Sequence, residues 1–138
     1  MTRVLHLIVG GCLLLLAVVP SAMAQVPAAQ LVATWRAEGF VIPQYPLGIS
    51  LITLTGNGSF RAQLGTVGTG TVSGSAASGS WRLQGDVLSF VLMQIDNKAV
   101  PPVLSQPLLY QIDAVTANEV RCRNQRTGQG MRFVRSGS

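Results

Sequence analysis

From Val32 onward, apolar and polar residues alternate in short runs, the two-residue period of half-buried strands. No stretch there keeps apolar residues at helical spacing for more than about two turns. Only Ala28–Arg36 allows one short helical turn, just before Trp35. Ile49–Thr55 is β-branched and apolar, and Gly56-Asn57-Gly58 marks a hairpin. Ser59–Leu64 then sets Phe60, Ala62 and Leu64 against Arg61 and Gln63. Gly65–Ser78 is rich in glycine, serine and threonine; it reads as a loop with at most a weak strand over Thr69–Ser73. Gly79–Gln84 alternates again, Gly85-Asp86 turns the chain, and Val87–Gln94 is apolar enough on both faces for a central strand. Ile95–Gln106, with Pro101-Pro102, reads as a loop. Leu108–Ala114 follows, and Glu119–Arg123 with Met131–Arg135 forms a last hairpin around Asn124–Gly130.

Eight or nine strands with short sequential links predict an all-β fold, an antiparallel up-and-down meander. Closing it into a barrel removes exposed edges. A two-sheet sandwich is the runner-up.

The first 24 residues break the alternation. Arg3 is followed by an almost wholly apolar run, Val4–Val19, and then by Pro20-Ser21-Ala22-Met23-Ala24. This is the layout of a signal peptide, with Ala22 and Ala24 as the small residues before a cut ahead of Gln25. The apolar run falls short of the roughly 20 residues needed for a membrane span. Val9-Gly10-Gly11-Cys12 resembles a lipid-attachment box, but the apolar run continues past Cys12, whereas such a box closes it. Residues 1–24 are therefore read as a cleaved leader and residues 25–138 as a single domain, periplasmic or secreted, with no transmembrane segment after cleavage.

Removing the leader changes the chemistry. Arg3 goes with it, taking the formal net charge from +5 to +4, and so do His6 and Cys12. The remaining domain has no histidine and one cysteine, Cys122, so no intrachain disulfide is available. Ser-His-Asp and Cys-His catalysis and histidine-containing metal sites are thereby excluded. Five carboxylates remain, Glu38, Asp86, Asp96, Asp113 and Glu119, scattered and mostly beside turns. Asp96 and Asp113 are the one imaginable acid–base pair, yet turn chemistry accounts better for Asp86 and Asp96. Gly65, Gly68 and Gly70 are spaced like a phosphate loop but lack the following lysine and helix. Cys122 alternates with Val120 and points inward, opposite Arg121 and Arg123. Asn57-Gly58-Ser59 is a glycosylation sequon that also suffices as a turn. No enzyme activity, cofactor or metal is expected.

An internal repeat supports the meander. Thr34-Trp35-Arg36-Ala37-Glu38-Gly39 returns as Ser80-Trp81-Arg82-Leu83-Gln84-Gly85, and Ser59-Phe60-Arg61-Ala62-Gln63 is a partial third copy. On a strand, period two sends the aromatic inward and the arginine outward. A lattice of Arg36, Arg61 and Arg82 facing an acidic partner is the minority alternative.

Ala33-Thr34-Trp35, Leu54–Phe60 and Gly79–Leu88 together resemble the small bacterial lipocalin-like, calycin-type β-barrel domains of the cell envelope. These typically carry a Gly-x-Trp on the first strand, where Ala33 replaces the glycine here. They also carry an aromatic-bearing hairpin and a G-x-W-x-x-x-G-x-x-L unit. The resemblance spans most of Val32–Val134 and implies that Arg132 or Arg135 packs across Trp35. It also implies a barrel that either binds an apolar small molecule or is simply filled.

Two functional readings follow. In the first, a small apolar or amphipathic ligand sits in a cavity lined by Trp35, Phe60, Trp81, Phe90, Tyr110 and Phe133. In the second, a filled barrel is a protein-interaction or inhibitor module of the envelope. Its surface is the Gly65–Ser78 or Ile95–Gln106 loop, or a basic C-terminal patch of Arg121, Arg123 and Arg132 facing an acidic surface or protein. Arg126 and Arg135 lie in the same fifteen-residue stretch. No aromatics interleave with these arginines, so nucleic acid is not an expected partner.

Overall fold

The computed structural model describes residues 26–66 and 71–136. The leader over residues 1–24, and the cut ahead of Gln25, lie outside the described residues. A 3-10 turn, Ala28–Leu31, leads into β1 (Ala33–Val41). Then come β2 (Gly48–Leu54), β3 (Ser59–Thr66), β4 (Thr71–Gln84) and β5 (Val87–Ile95). The two-residue β6 (Lys98–Ala99) and a 3-10 turn, Pro102–Leu104, precede β7 (Leu108–Val115), β8 (Glu119–Asn124) and β9 (Gly130–Arg135).

All pairings are antiparallel between successive principal strands, and β1 also pairs with β9. With β6 a small flap on β5, eight strands close into an up-and-down barrel, the architecture the resemblance implied, rather than a sandwich.

Alternation gives this cylinder its inside. Phe60, Ala62 and Leu64 of β3 are buried while Arg61 and Gln63 are exposed. Val120 and Cys122 of β8 face in, and Arg121 and Arg123 face out. In all three copies of the repeat the aromatic, Trp35, Phe60 or Trp81, is buried, and Arg36, Arg61 and Arg82 are exposed. Among the described residues no polar or charged side chain is buried in the core.

The sequence reading needs three corrections. Residues Thr71–Ser78, expected as loop with at most a weak strand over Thr69–Ser73, are the first half of the 14-residue β4. Their intrinsic strand preference is weak, but this strand is laddered to β3 on one side and β5 on the other. Its small residues also serve close packing: a Cβ on Gly79 would lie 2.0 Å from the Val91 carbonyl oxygen and 2.8 Å from the Phe60 ring. Second, Ile95–Gln106 is not featureless. Asp96 and Asn97, both at positive φ, make a two-residue turn into β6, and the 3-10 turn follows. Third, Ala28–Arg36 does open with a short turn, Ala28–Leu31, but its residues from Ala33 on already belong to the nine-residue β1, which is kinked between Arg36 and Phe40 where its register to β2 shifts.

The strand order sorts the connections to two ends. One end carries the short turns at 55–58, 85–86 and 116–118 together with the N-terminal 3-10 turn. The other carries the longer connections at 42–47, 96–107 and 125–129, and it is there that the chain has freedom to build a site.

Candidate functional site

At the short-turn end, the chemistry is structural. Leu31 is fully buried, and the Trp35 indole Nε1 donates to its carbonyl oxygen at 2.9 Å. Arg135 lies over the Trp35 ring, 4.6 Å from its centroid, and its Nε donates to the Ala117 carbonyl oxygen at 2.8 Å. Of the two arginines implied for this role, Arg135 fills it. Arg132 turns to the outer wall.

The six aromatics expected to line a cavity are all buried, and they pack largely on one another. Phe90 meets Phe60 edge-on at 5.9 Å, Tyr110 at 6.1 Å and Phe133 at 6.2 Å, while Trp35 stacks on Phe133 at 6.1 Å. Phe40, absent from that set, is wedged at 5.0 Å from Phe90 and 5.4 Å from Tyr110. Trp81 spends its indole N–H on the Thr55 carbonyl oxygen at 2.9 Å. These rings fill the middle of the barrel. Over the long-loop end, buried Ile42 and half-buried Tyr45, Val100 and Leu104 pack onto the same core.

The concavity with ligand-like walls therefore lies above the core, at this rim. A cleft of about 410 Å³ runs between the 42–47 connection, the 96–107 strap and the β8–β9 turn. Pro43, Val103, Leu104, Pro107, Leu108 and Leu109 supply its apolar walls, and Gln44, Gln106, Asn124, Gln125 and Arg126 its polar edge. Val103 and Leu109 are 50% and 40% exposed, unusual for such side chains. A smaller lobe of about 160 Å³ shares Pro43, Asn124 and Arg126 with the cleft and adds Gly39, Val41, Tyr110, Thr127 and Gln129. Of the six expected ligand residues, Tyr110 alone lines either lobe.

Local sequence explains the rim's shape. The Asn124 Oδ1 accepts from the backbone N–H of Arg126 (2.8 Å) and Thr127 (3.0 Å), an Asx turn that fixes the start of the β8–β9 connection. The Gln125 N–H donates to the Leu109 carbonyl oxygen at 2.9 Å, tying that turn to β7. Tyr110 is the cross-strand partner of Asn124. Burial pushes its phenol up to about 12, partly offset by the Asn124 side chain beside it, so it is a neutral hydrogen-bonding group at physiological pH.

A larger concavity, about 530 Å³, lies over the outer faces of β2, β3 and β4. Its floor is made by small side chains such as Ala76 and Ser78, with Arg61, Gln63 and Gln94 around it. Asp96 at its edge is committed to the turn, accepting from the Ala76 N–H at 2.9 Å and the Ser75 hydroxyl at 3.1 Å. It is a shallow trough of mixed character on the barrel wall, with Leu51 and small alanines among charged and amide side chains. The rim cleft, with apolar walls and polar groups along one edge, is the better match to a small-molecule site.

The three arginines of the expected basic patch each meet a carboxylate. Arg123 grips Asp113 through two bonds of 2.8 Å. Arg121 reaches Glu119 at 3.1 Å, and Arg132 bridges Glu38 at 2.9 Å and Glu119 at 3.1 Å. Arg36 completes the chain on Glu38 at 3.5 Å. Arg123 holds the Asp113 carboxyl below its ordinary range, and Arg121 and then Arg132 do the same to Glu119. Asp96 and Asp113 thus serve a turn and an ion pair. Cys122 is buried, which pushes its thiol up to about 12. No group of three metal-ligating side chains occurs among the described residues, and no helix there is long and apolar enough to cross a membrane.

Sequence reasoning missed the rim, apart from treating Ile95–Gln106 as one possible surface. Part of the signal was present in Val103 and Leu104, two large apolar residues in a segment read as a loop. Pro43 and Gln129 had no such signal, because only closure of the barrel brings β1 beside β9.

No family model matches the chain, and no curated protein matches it. Among solved structures, an uncharacterised protein from Bacteroides eggerthii is similar in fold. It is 15% identical, the match covers 77% of this chain and 99% of that one, and the TM-score is 0.50. A lipocalin-like protein from Bacteroides uniformis is 13% identical, with 78% and 99% covered and a TM-score of 0.49.

Proposed function

We propose that the protein is an exported, non-enzymatic binding module of the periplasm or extracellular space. It takes small apolar or amphipathic molecules at the open rim of the barrel rather than along its axis. The observation that carries this reading is the rim cleft, about 410 Å³ in volume, whose walls hold Val103 and Leu109 half in solvent. Ligand pockets begin at about 300 Å³, and leaving large apolar side chains exposed forgoes burial that a ligand would restore.

A solvatochromic naphthalene probe titrated into the protein is expected to brighten and to saturate at one site. Val103→Asp and Leu109→Asp, both at exposed positions, are expected to weaken binding about tenfold or more. Leu92→Ala, in the barrel core, should cost stability but leave the affinity of the folded protein nearly unchanged. A probe displaced by the core substitution and indifferent to the rim pair would move the site back to the axis.

The second reading, an envelope interaction or inhibitor module, is favoured by the aromatic packing that fills the barrel. Its basic-patch version predicts that Arg121→Glu with Arg123→Glu removes partners recovered with the protein from its host envelope. Unchanged partners would retire that version.

A further inference from the structure

We infer that the rim site selects an amphipathic monoanion, a carboxylate with an apolar body, and seats the carboxylate in the small lobe against Arg126. This inference rests on the rim reading above and adds the ligand's charge and orientation to it.

Pairing and position together single out Arg126: among the described residues Arg61, Arg82 and Lys98 also hold no carboxylate, but none of them lines the rim site. On the outer wall Arg36, Arg121, Arg123 and Arg132 each hold a carboxylate, and Arg135 is spent on the Trp35 ring and two carbonyl oxygens. Among the described residues Arg126 has no ion-pair partner, and no carboxylate lines either lobe of the rim site. It is the one charged side chain in both linings, and it stands where the two lobes meet. Asn124 anchors the backbone on which it is carried, so the guanidinium is offered from a held turn rather than a free loop.

The lobes differ in kind, and that sets the orientation. The large one is walled by prolines, leucines and valine; the small one is lined by Asn124, Thr127 and Gln129, with the largely buried Tyr110 beneath them, neutral groups able to donate to an anion. An apolar body belongs in the first and a charged head in the second, with Arg126 between them. One guanidinium beside neutral donors balances one negative charge and presents a fork that fits a planar carboxylate in two parallel bonds. A phosphate monoester, nearer two charges at neutral pH, would leave one unbalanced.

The test uses four ligands with the same ten-carbon chain, decanoate, decyl phosphate, decanol and decylammonium, each competing with the naphthalene probe below micelle-forming concentrations. Decanoate is expected to bind about tenfold more tightly than decanol, the scale of a hydrogen bond to a charged group, and decylammonium more weakly than both. Arg126→Gln, at an exposed turn position, should bring decanoate down to the level of decanol, abolishing the ratio between them. Arg126→Lys should keep part of the preference, and Tyr110→Phe should reduce it about threefold while preserving the ring packing. Decanol or decylammonium equal to decanoate, tighter decyl phosphate, or an indifferent Arg126→Gln would each overturn the inference while leaving the rim site standing. If neither the probe nor any of the four binds, the rim reading itself falls and the inference with it.

Discussion

Trp35 shows how a single residue organises one end of the barrel. It is fully buried, satisfies the Leu31 carbonyl through its indole N–H, stacks on Phe133 and carries Arg135 on its face. Trp35→Phe keeps a ring but orphans the carbonyl and leaves a gap, at an expected cost of about 2–4 kcal/mol in urea unfolding. Arg135→Ala should cost about 0.5–1 kcal/mol, less again in the Trp35→Phe background if the ring contact is what it supplies. Cys122 and Tyr110 make the alkaline side testable. Their folded pKa values lie near 12, above the ordinary 9.0 and 10.0, so the unfolded chain loses these protons first. Stability from this source is full below pH 9 and falls as pH climbs from there towards 12. The urea midpoint is expected to decline over that range, and Cys122→Ala should blunt its onset between pH 9 and 10; a flat wild-type profile would contradict the burial. The inward Cys122 was legible from its alternation with Val120. Arg126 as the one charged side chain of the rim was not, because that depends on which connections closure of the barrel brings together.

Among the elements, the hairpins divide by how local their causes are. The turn at 56–58 is written in its own residues: Asn57 Oδ1 accepts from the Ser59 N–H and hydroxyl at 3.1 and 2.8 Å. The β4 strand is the opposite case, since Ser73–Ser78 is made of serine, glycine and alanine, weak strand formers, and is held by its neighbours. The outer wall of β1, β9, β8 and β7 carries alternating charges from Arg36 through Glu38, Arg132 and Glu119 to Arg121, with Asp113 and Arg123 alongside. Here the sign is reversed relative to Cys122. The Asp113 and Glu119 carboxyls are held below their ordinary 3.8 and 4.5, so their contribution is present above those values and is lost as pH falls through the lowered ones. The melting temperature is expected to drop as pH is taken from 5 to 2, less steeply in Arg123→Gln and at high salt, which screens exposed pairs. At neutral pH the same substitution should lower melting slightly, because the pair is intact there, and the difference should close as pH falls. An acid limb insensitive to both salt and substitution would assign the loss to other groups.

For the whole molecule, closure is the governing fact: each of the eight principal strands pairs on both sides, so no half of the sheet is complete without the other. Unfolding is therefore expected as one transition, with tryptophan fluorescence and far-ultraviolet circular dichroism giving coincident midpoints. Separate midpoints would mean that part of the ring survives alone. Local chemistry in the chain itself determined the strand-and-turn rhythm, the inward aromatics and outward arginines of the repeat, and the buried thiol. All of these follow from period-two alternation and residue inventory, which need no knowledge of distant neighbours. Only tertiary structure decided that β1 meets β9, that Phe40 joins the six aromatics to fill the axis, and that Pro43, Leu109 and Arg126 share one rim cleft. Those are encounters between residues far apart in sequence, set by ring closure and by the competition of side chains for a fixed interior volume.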